Sequence, residues 1–186
     1  MQDAPSAAEE VWTPLRLISW TSNYLQEKGV AGARREAEWL LGAATGMSRL
    51  AIYLNFDKPL EPAELVRFRG LVKRRGQREP LQYLLGDQDF MGRRYLVNPA
   101  VLIPRDDTAV LVQQALALVQ PGTRVLDVGT GSGCVAISLA CEAPQAVVCA
   151  GDISAEALQV AVANAQALGG NVQFRHGDLY APFQGE

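Results

Sequence analysis

Through about residue 75 the apolar positions recur at helical spacing. Leu15, Ile18, Ser22 and Leu25 share one face at i, i+3, i+7 and i+10, and Gly29 ends that helix. Ala37, Leu40, Leu41 and Ala44 repeat the pattern until Gly46. Ser48 is placed to cap a short helix running through Ile52 toward Phe56. Pro59 and Pro62 punctuate the chain, and Leu65, Phe68 and Val72 mark a fourth helix face. Short connections between such helices predict a small antiparallel bundle. From Glu79 the period shortens. Leu81–Leu85, Asp89–Met91, a turn at Gly92 and Tyr95–Val97 predict a β-hairpin or an extended linker. Pro99 and Pro104 then frame an apolar stretch.

Beyond this the pattern alternates. Thr108 to Val119 is expected to be helical, with Val110, Leu111, Ala115 and Leu118 as its apolar side. Arg124–Val128 is a short apolar strand, followed by a glycine loop and a helix to Cys141. Ala146–Ala150 is a second strand, and Ser154 caps a helix to Leu168. Gly169-Gly170 breaks it before a third strand at Asn171–Arg175. Strand and helix in this alternation, with nearly continuous apolar strands, predict a parallel doubly wound α/β sheet. The expected division is a helical domain over 1–78, a hairpin linker over 79–104 and an α/β domain over 105–186.

Composition narrows the class. At 48% hydrophobic and 20% charged residues the chain is expected to fold rather than remain disordered. A net charge of −3 argues against a generally nucleic-acid-seeking or membrane-surface protein. No apolar run approaches the ~20 residues a membrane span needs. Met1–Pro5 carries an acid where a signal peptide would be basic and then apolar. Cys134, Cys141 and Cys149 sit among apolar residues without metal-ligand spacing, so reduced thiols, a cytoplasmic setting and no metal site are expected. Trp12, Trp20 and Trp39 fall at helical positions and are expected to pack in the bundle. Arg67, Arg69, Lys73, Arg74, Arg75 and Arg78 form a basic run on the fourth helix. It is either a solvated face or a docking surface for an acidic or nucleic-acid-associated partner.

The chemistry concentrates at Asp127-Val128-Gly129-Thr130-Gly131-Ser132-Gly133-Cys134. A glycine-rich turn after a strand lets the backbone approach a ligand and points helix N-terminal N–H groups at it. The dinucleotide fingerprint G-x-G-x-x-G fails, because Cys134 stands where its third glycine belongs, and no Gly-Lys-Ser/Thr follows to make a P-loop. Asp152 ends the second strand, where a carboxylate can accept both hydroxyls of a ribose. Asp178 follows the third strand, with Leu179 or Tyr180 beside it to hold an adenine. Close-approach glycines, one acid for ribose and one acid with an apolar neighbour for the base fit S-adenosylmethionine. The expected donor contacts are Gly129, Thr130, Gly131, Ser132, Gly133, Asp152, Asp178 and Leu179.

These residues resemble the class I S-adenosylmethionine-dependent methyltransferases. Three further blocks narrow the likeness: Arg78-Glu79-Pro80-Leu81-Gln82-Tyr83-Leu84-Leu85-Gly86, Phe90-Met91-Gly92, and Val101-Leu102-Ile103-Pro104-Arg105. With them the stretch from Arg34 to Asp178 resembles the release-factor glutamine methyltransferases, the HemK/PrmC family. The resemblance implies a helical domain that binds peptide chain release factors, a hairpin linker and a Rossmann-like catalytic domain. It implies methylation of the side-chain amide nitrogen of the glutamine in a Gly-Gly-Gln motif, with no membrane and no direct DNA contact.

Two departures stand against the family pattern. After Pro104-Arg105 the family continues Pro-Glu/Asp-Thr-Glu, whereas Asp106, Asp107, Thr108 and Ala109 stand here. The family's Asn-Pro-Pro-Tyr motif is absent; Asn98-Pro99 is followed by Ala100. An amide nitrogen is a poor nucleophile because its lone pair is delocalised into the carbonyl. Orientation and electrostatics, with acceptors on its N–H groups, are the available strategy. The absent motif would supply those acceptors, so no catalytic residue is assigned in this chain. His176 is expected to be structural or solvent-facing rather than a general base. Asp106 and Asp107 are expected to favour a helix N-terminus. Phe90 and Arg105 either close over the methionine end of the donor or, for Phe90, belong to the core. The expectation is a C-terminally truncated enzyme, holding the first half of the Rossmann-like domain and inactive alone. The rival readings are an adenine or cytosine amino-methyltransferase acting on nucleic acid, and a non-catalytic donor-binding fragment.

Overall fold

The computed structural model describes residues 11–185; the features expected of Met1–Pro5 lie outside them. The chain divides into two units, one ending at Leu85 and one beginning at Gly86.

The first unit is all helical: α1 (Pro14–Glu27), α2 (Ala33–Thr45), α3 (Arg49–Leu54), α4 (Pro62–Gly76) and the short α5 (Leu81–Leu85). Side-chain oxygens cap two of the starts: Thr13 accepts from Arg16 N–H and Ser48 from Ala51 N–H. Gly46 closes α2 in the left-handed region at φ 73°. The core face of α2 is the expected one, Ala37, Leu40, Leu41 and Ala44. That of α1 is rotated from the expected one: Pro14, Leu17, Ile18, Thr21 and Leu25 are buried and Leu15 is exposed. Leu15 and Leu17 offered two overlapping apolar stripes, and packing against α2 decides between them. Leu81–Leu85, read above as extended, is a helical turn whose Leu81 and Leu84 join the core of this unit. An apolar run of five carries no period long enough to separate the two states.

Trp20 and Trp39 are corrected as well: both are half exposed rather than packed inside. Trp20 stacks on Tyr24 at 5.5 Å, and Arg35 lies over Trp39. Most of the basic run has internal work. Arg74 pairs with Glu79, Arg75 with Glu36, Arg67 donates to the Ala44 carbonyl and Arg78 to that of Gly29. Arg69 and Lys73 instead border a hollow of about 360 Å³ formed by Trp12, Leu17, Trp20, Tyr24, Phe68 and Val72.

The second unit opens with a hairpin, β1 (Asp87–Phe90) and β2 (Arg93–Leu96), paired antiparallel with Phe90 opposite Arg93. Met91 and Gly92 turn the chain, both at positive φ, as a two-residue hairpin loop demands. Phe90 and Tyr95 are core residues in edge-to-face contact, so Phe90 is not a free flap over a ligand. Then follow α6 (Asp106–Leu118), β3 (Arg124–Val128), α7 (Cys134–Glu142), β4 (Val147–Asp152), α8 (Ala155–Leu168) and β5 (Val172–His176), with one 3-10 turn at Ala181–Phe183. The three strands form a parallel sheet in the order β3-β4-β5. This is the expected α/β arrangement of parallel strands joined by crossover helices. The face of α6 differs from the expected one. Val112 is buried with Ala109, Ala115 and Leu116 against it, while Val110, Leu111 and Leu118 are exposed.

Among the described residues no helix is long and apolar enough to cross a membrane.

Candidate functional site

The loop between β3 and α7 is shaped by Gly129, Gly131 and Gly133, all at positive φ. Each serves a different purpose. A Cβ on Gly133 would lie 2.7 Å from Ile137 Cδ1 and 3.2 Å from Ala161 Cβ, so this glycine lets the loop seat against α7 and α8. A Cβ on Gly129 or Gly131 would meet nothing within 4 Å. These two therefore face open space, where a ligand can reach the backbone. The N–H groups of Gly129 and Thr130 both donate to the Gly151 carbonyl, at 2.8 and 3.0 Å, which fastens the loop to β4.

Asp152, last residue of β4, organises the rim. Its Oδ2 accepts from Gly131 N–H and its Oδ1 from Ser154 N–H, both at 2.9 Å. A carboxylate offers about four lone-pair positions, so both oxygens keep capacity for the hydroxyls of a ribose. Ser154 in turn accepts from Ala157 N–H and starts α8. Thr130 and Ser132 are buried. Thr130 Oγ1 donates to Asp127 Oδ2 at 2.7 Å, while the Ser132 carbonyl accepts from Asn164 Nδ2 at 2.9 Å.

Asp127 belongs to this constellation although the donor contacts expected from sequence omit it. Burial pushes its carboxyl above the usual carboxylate range; hydrogen bonds from Thr130 and the Ala136 amide oppose that, and the charge of Asp152 adds to it. The signal was present as the acid two residues before Gly129, but spacing carries no information about depth.

Asp178 and Leu179 stand apart from the loop contacts. They follow β5, whose His176 is in register with Asp152, so both lie past the carboxyl ends of neighbouring strands. Leu179 is exposed with φ 45°, left-handed backbone that a branched side chain rarely adopts. Tyr180 turns away to a hollow of about 260 Å³ with Leu126, Cys149 and Phe183. His176 Nε2 lies 2.9 Å from the Ile153 carbonyl, a local tie between strand ends. Asp106 and Asp107 occupy the first turn of α6, with Asp107 paired to Arg105 at 2.9 Å. Among the described residues no group of three or more His, Cys, Asp or Glu is placed to hold a metal ion. Cys134, Cys141 and Cys149 are free thiols.

The open glycine backbone beside a carboxylate with spare acceptor capacity fits the ribose end of an adenosyl ligand. Comparison with known proteins bears on the same stretch. The family model described as the PrmC N-terminal domain matches residues 16–86, and that of the methyltransferase small domain matches residues 106–186. A protein of Geobacter sulfurreducens named release factor glutamine methyltransferase is 50% identical over 173 residues, 93% of this chain and 61% of that protein. Proteins of the same name from Chlorobaculum tepidum and Bacillus subtilis are 41% and 42% identical, over 90% and 92% of this chain and 59% and 61% of their own. The chain thus spans about three fifths of the length of these relatives.

Proposed function

The chain belongs, over the stretch it shares with them, to the family of release factor glutamine methyltransferases, and from that premise we propose that its second unit is the donor-binding part of such an enzyme. The observation that carries this reading is the grip of Asp152 on Gly131, which together with Gly129 faces open space. The donor is S-adenosylmethionine, which supplies an electrophilic methyl group on a sulfonium. Asp152 holds the ribose hydroxyls, and the Gly129–Gly133 backbone admits the ligand to close range. Asp178 and Leu179, past β5, take the adenine by hydrogen bonding and apolar contact.

In the whole protein the methyl group passes to the side-chain amide nitrogen of the glutamine in the Gly-Gly-Gln motif of a peptide chain release factor. The N–H proton leaves to solvent, and the sulfonium becomes a neutral thioether. The residues of this chain bind and orient in that scheme and transfer no proton, so none is assigned as catalytic. The partner is a release factor rather than DNA, and the setting is the cytoplasm. A net charge of −3 and the internal pairing of most of the basic run support a protein partner over a polyanion.

Calorimetric titration of the 186-residue chain with S-adenosylmethionine tests the donor site. Binding is expected, with Asp152→Ala at least tenfold weaker, a loss of about 1.4 kcal/mol or more. Equal affinity in Asp152→Ala would overturn the ribose assignment. Incubating the full-length protein with methyl-labelled donor and either a release factor or DNA tests the acceptor, and label in DNA alone would overturn it.

A further inference from the structure

The buried face of α8 is built from Ala157, Leu158, Val160, Ala161 and Ala165, with one polar exception, Asn164, which is fully buried. A side-chain amide in such a place survives only if its polar atoms are paired. Oδ1 accepts from the Leu96 N–H at 2.7 Å, and Nδ2 donates to the Leu96 carbonyl at 3.0 Å and to the Ser132 carbonyl at 2.9 Å.

The two bonds to Leu96 reproduce what a neighbouring strand would make to that residue. The outer edge of β2 is therefore closed at Leu96 by a side chain. The third bond ends inside the glycine loop, between Gly131 and Gly133. One turn earlier on α8, Ala161 sits where a side chain on Gly133 would go. Tyr95 also anchors β2, through Ser138 Oγ at 2.9 Å and the Cys134 carbonyl at 3.5 Å, but both partners belong to α7 and neither to the loop. Asn164 joins strand and loop through one rigid amide plane.

We propose that Asn164 is a positioning residue that couples the hairpin to the donor loop, so that ligand binding at the loop stiffens the hairpin and displacement of the hairpin loosens the ligand. Any effect on one end must be returned on the other, because coupling between two sites is reciprocal. The proposal rests on the donor reading above.

Amide hydrogen exchange on the 186-residue chain, with and without S-adenosylmethionine, tests it. In the unmodified chain the donor is expected to slow exchange at Gly131 and also at Leu96. Asn164→Asp keeps the shape but loses both donated bonds. Its donor affinity should fall about tenfold, within the usual range of coupling energies. At saturating donor Gly131 should still respond and Leu96 should not. If Asn164→Asp does not fold, Leu96→Pro removes the bond from the hairpin end, at an N–H outside the β1–β2 ladder; proline has no amide to follow, so the hairpin is read at Val97, whose N–H donates to the Gly86 carbonyl and whose response to the donor in the unmodified chain should be lost in the variant. Binding without any response at Leu96, or with the same response in the variant, overturns the coupling and leaves the donor site standing. No binding to the unmodified chain overturns both.

Discussion

Asp127 and Asp152 lie on neighbouring strands and face different surroundings. Asp152 spends one lone pair of each oxygen on a backbone amide at the rim, whereas Asp127 is half-buried and accepts from Thr130 Oγ1. Burial raises the Asp127 carboxyl, so the folded chain holds its proton more tightly than the unfolded chain does. Stability is then lost as pH rises from the ordinary carboxylate range through the raised folded value, and above that window the cost of an ionised buried group is fully present. Asp127→Asn keeps an acceptor for Thr130 and carries no charge. Urea denaturation between about pH 3.5 and 7 should show the variant gaining stability relative to the native chain as pH rises, then levelling off. A difference that stays flat across this range would mean that burial does not govern Asp127. Sequence placed the acid and gave its spacing from the glycines, but depth is a property of what packs above it. Asn164 was less legible still. A lone Asn among alanines on a helix has no periodic signature, and its role depends on Leu96, 68 residues away.

Elements came through unequally, for a physical reason. Strands β3 and β4 were legible as short apolar runs, of which only β4 is buried, and β5 as an alternation of Val172 and Phe174 with polar residues, with Gly122, Gly129 and Gly177 as boundaries. Helix faces were legible only where one stripe dominates, as in α2. In α6, Val110, Leu111 and Val112 are consecutive, and contact with α7 selects Val112. The glycine loop shows the same division between pattern and place. Alternate glycines announced close approach, but only the packing separates those facing a ligand from the one facing the protein. Gly133→Ala should cost about 1–3 kcal/mol of folding stability, since its methyl would press on Ile137 and Ala161. Gly131→Ala meets no neighbour and should cost about 1 kcal/mol, the strain of left-handed backbone. Its methyl stands in the open space instead, so donor affinity should fall more in Gly131→Ala than in Gly133→Ala. Denaturant midpoints and calorimetry on the two variants check this; the opposite order on both measurements would reassign which glycine faces the ligand.

At the scale of the whole molecule both units leave apolar side chains in solvent, Trp20, Leu50, Leu54 and Val66 among those of the first. The helical unit closes its core around α2, with Leu25, Leu40 and Leu41 fully buried. The α/β unit leaves Val110, Leu111 and Leu118 of α6 in solvent, and Leu126 on β3 is partly exposed. Among the described residues β3 is paired on one side only, so its other edge presents unmatched backbone donors and acceptors. Exposed apolar side chains and an open strand edge each favour association, and covering the apolar area removes it from water at about 25 cal/mol per Å². The 186-residue chain should therefore self-associate, with a sedimentation coefficient that rises with protein concentration. Replacing Val110 and Leu111 together by glutamate should lower that rise without lowering the denaturation midpoint, because both side chains are already exposed. The strand edge predicts a remainder. Association that survives the double substitution but is weakened by a charge on β3 at Leu126 would assign that remainder to the edge. A sedimentation coefficient independent of concentration in the unmodified chain would show that neither surface drives contact.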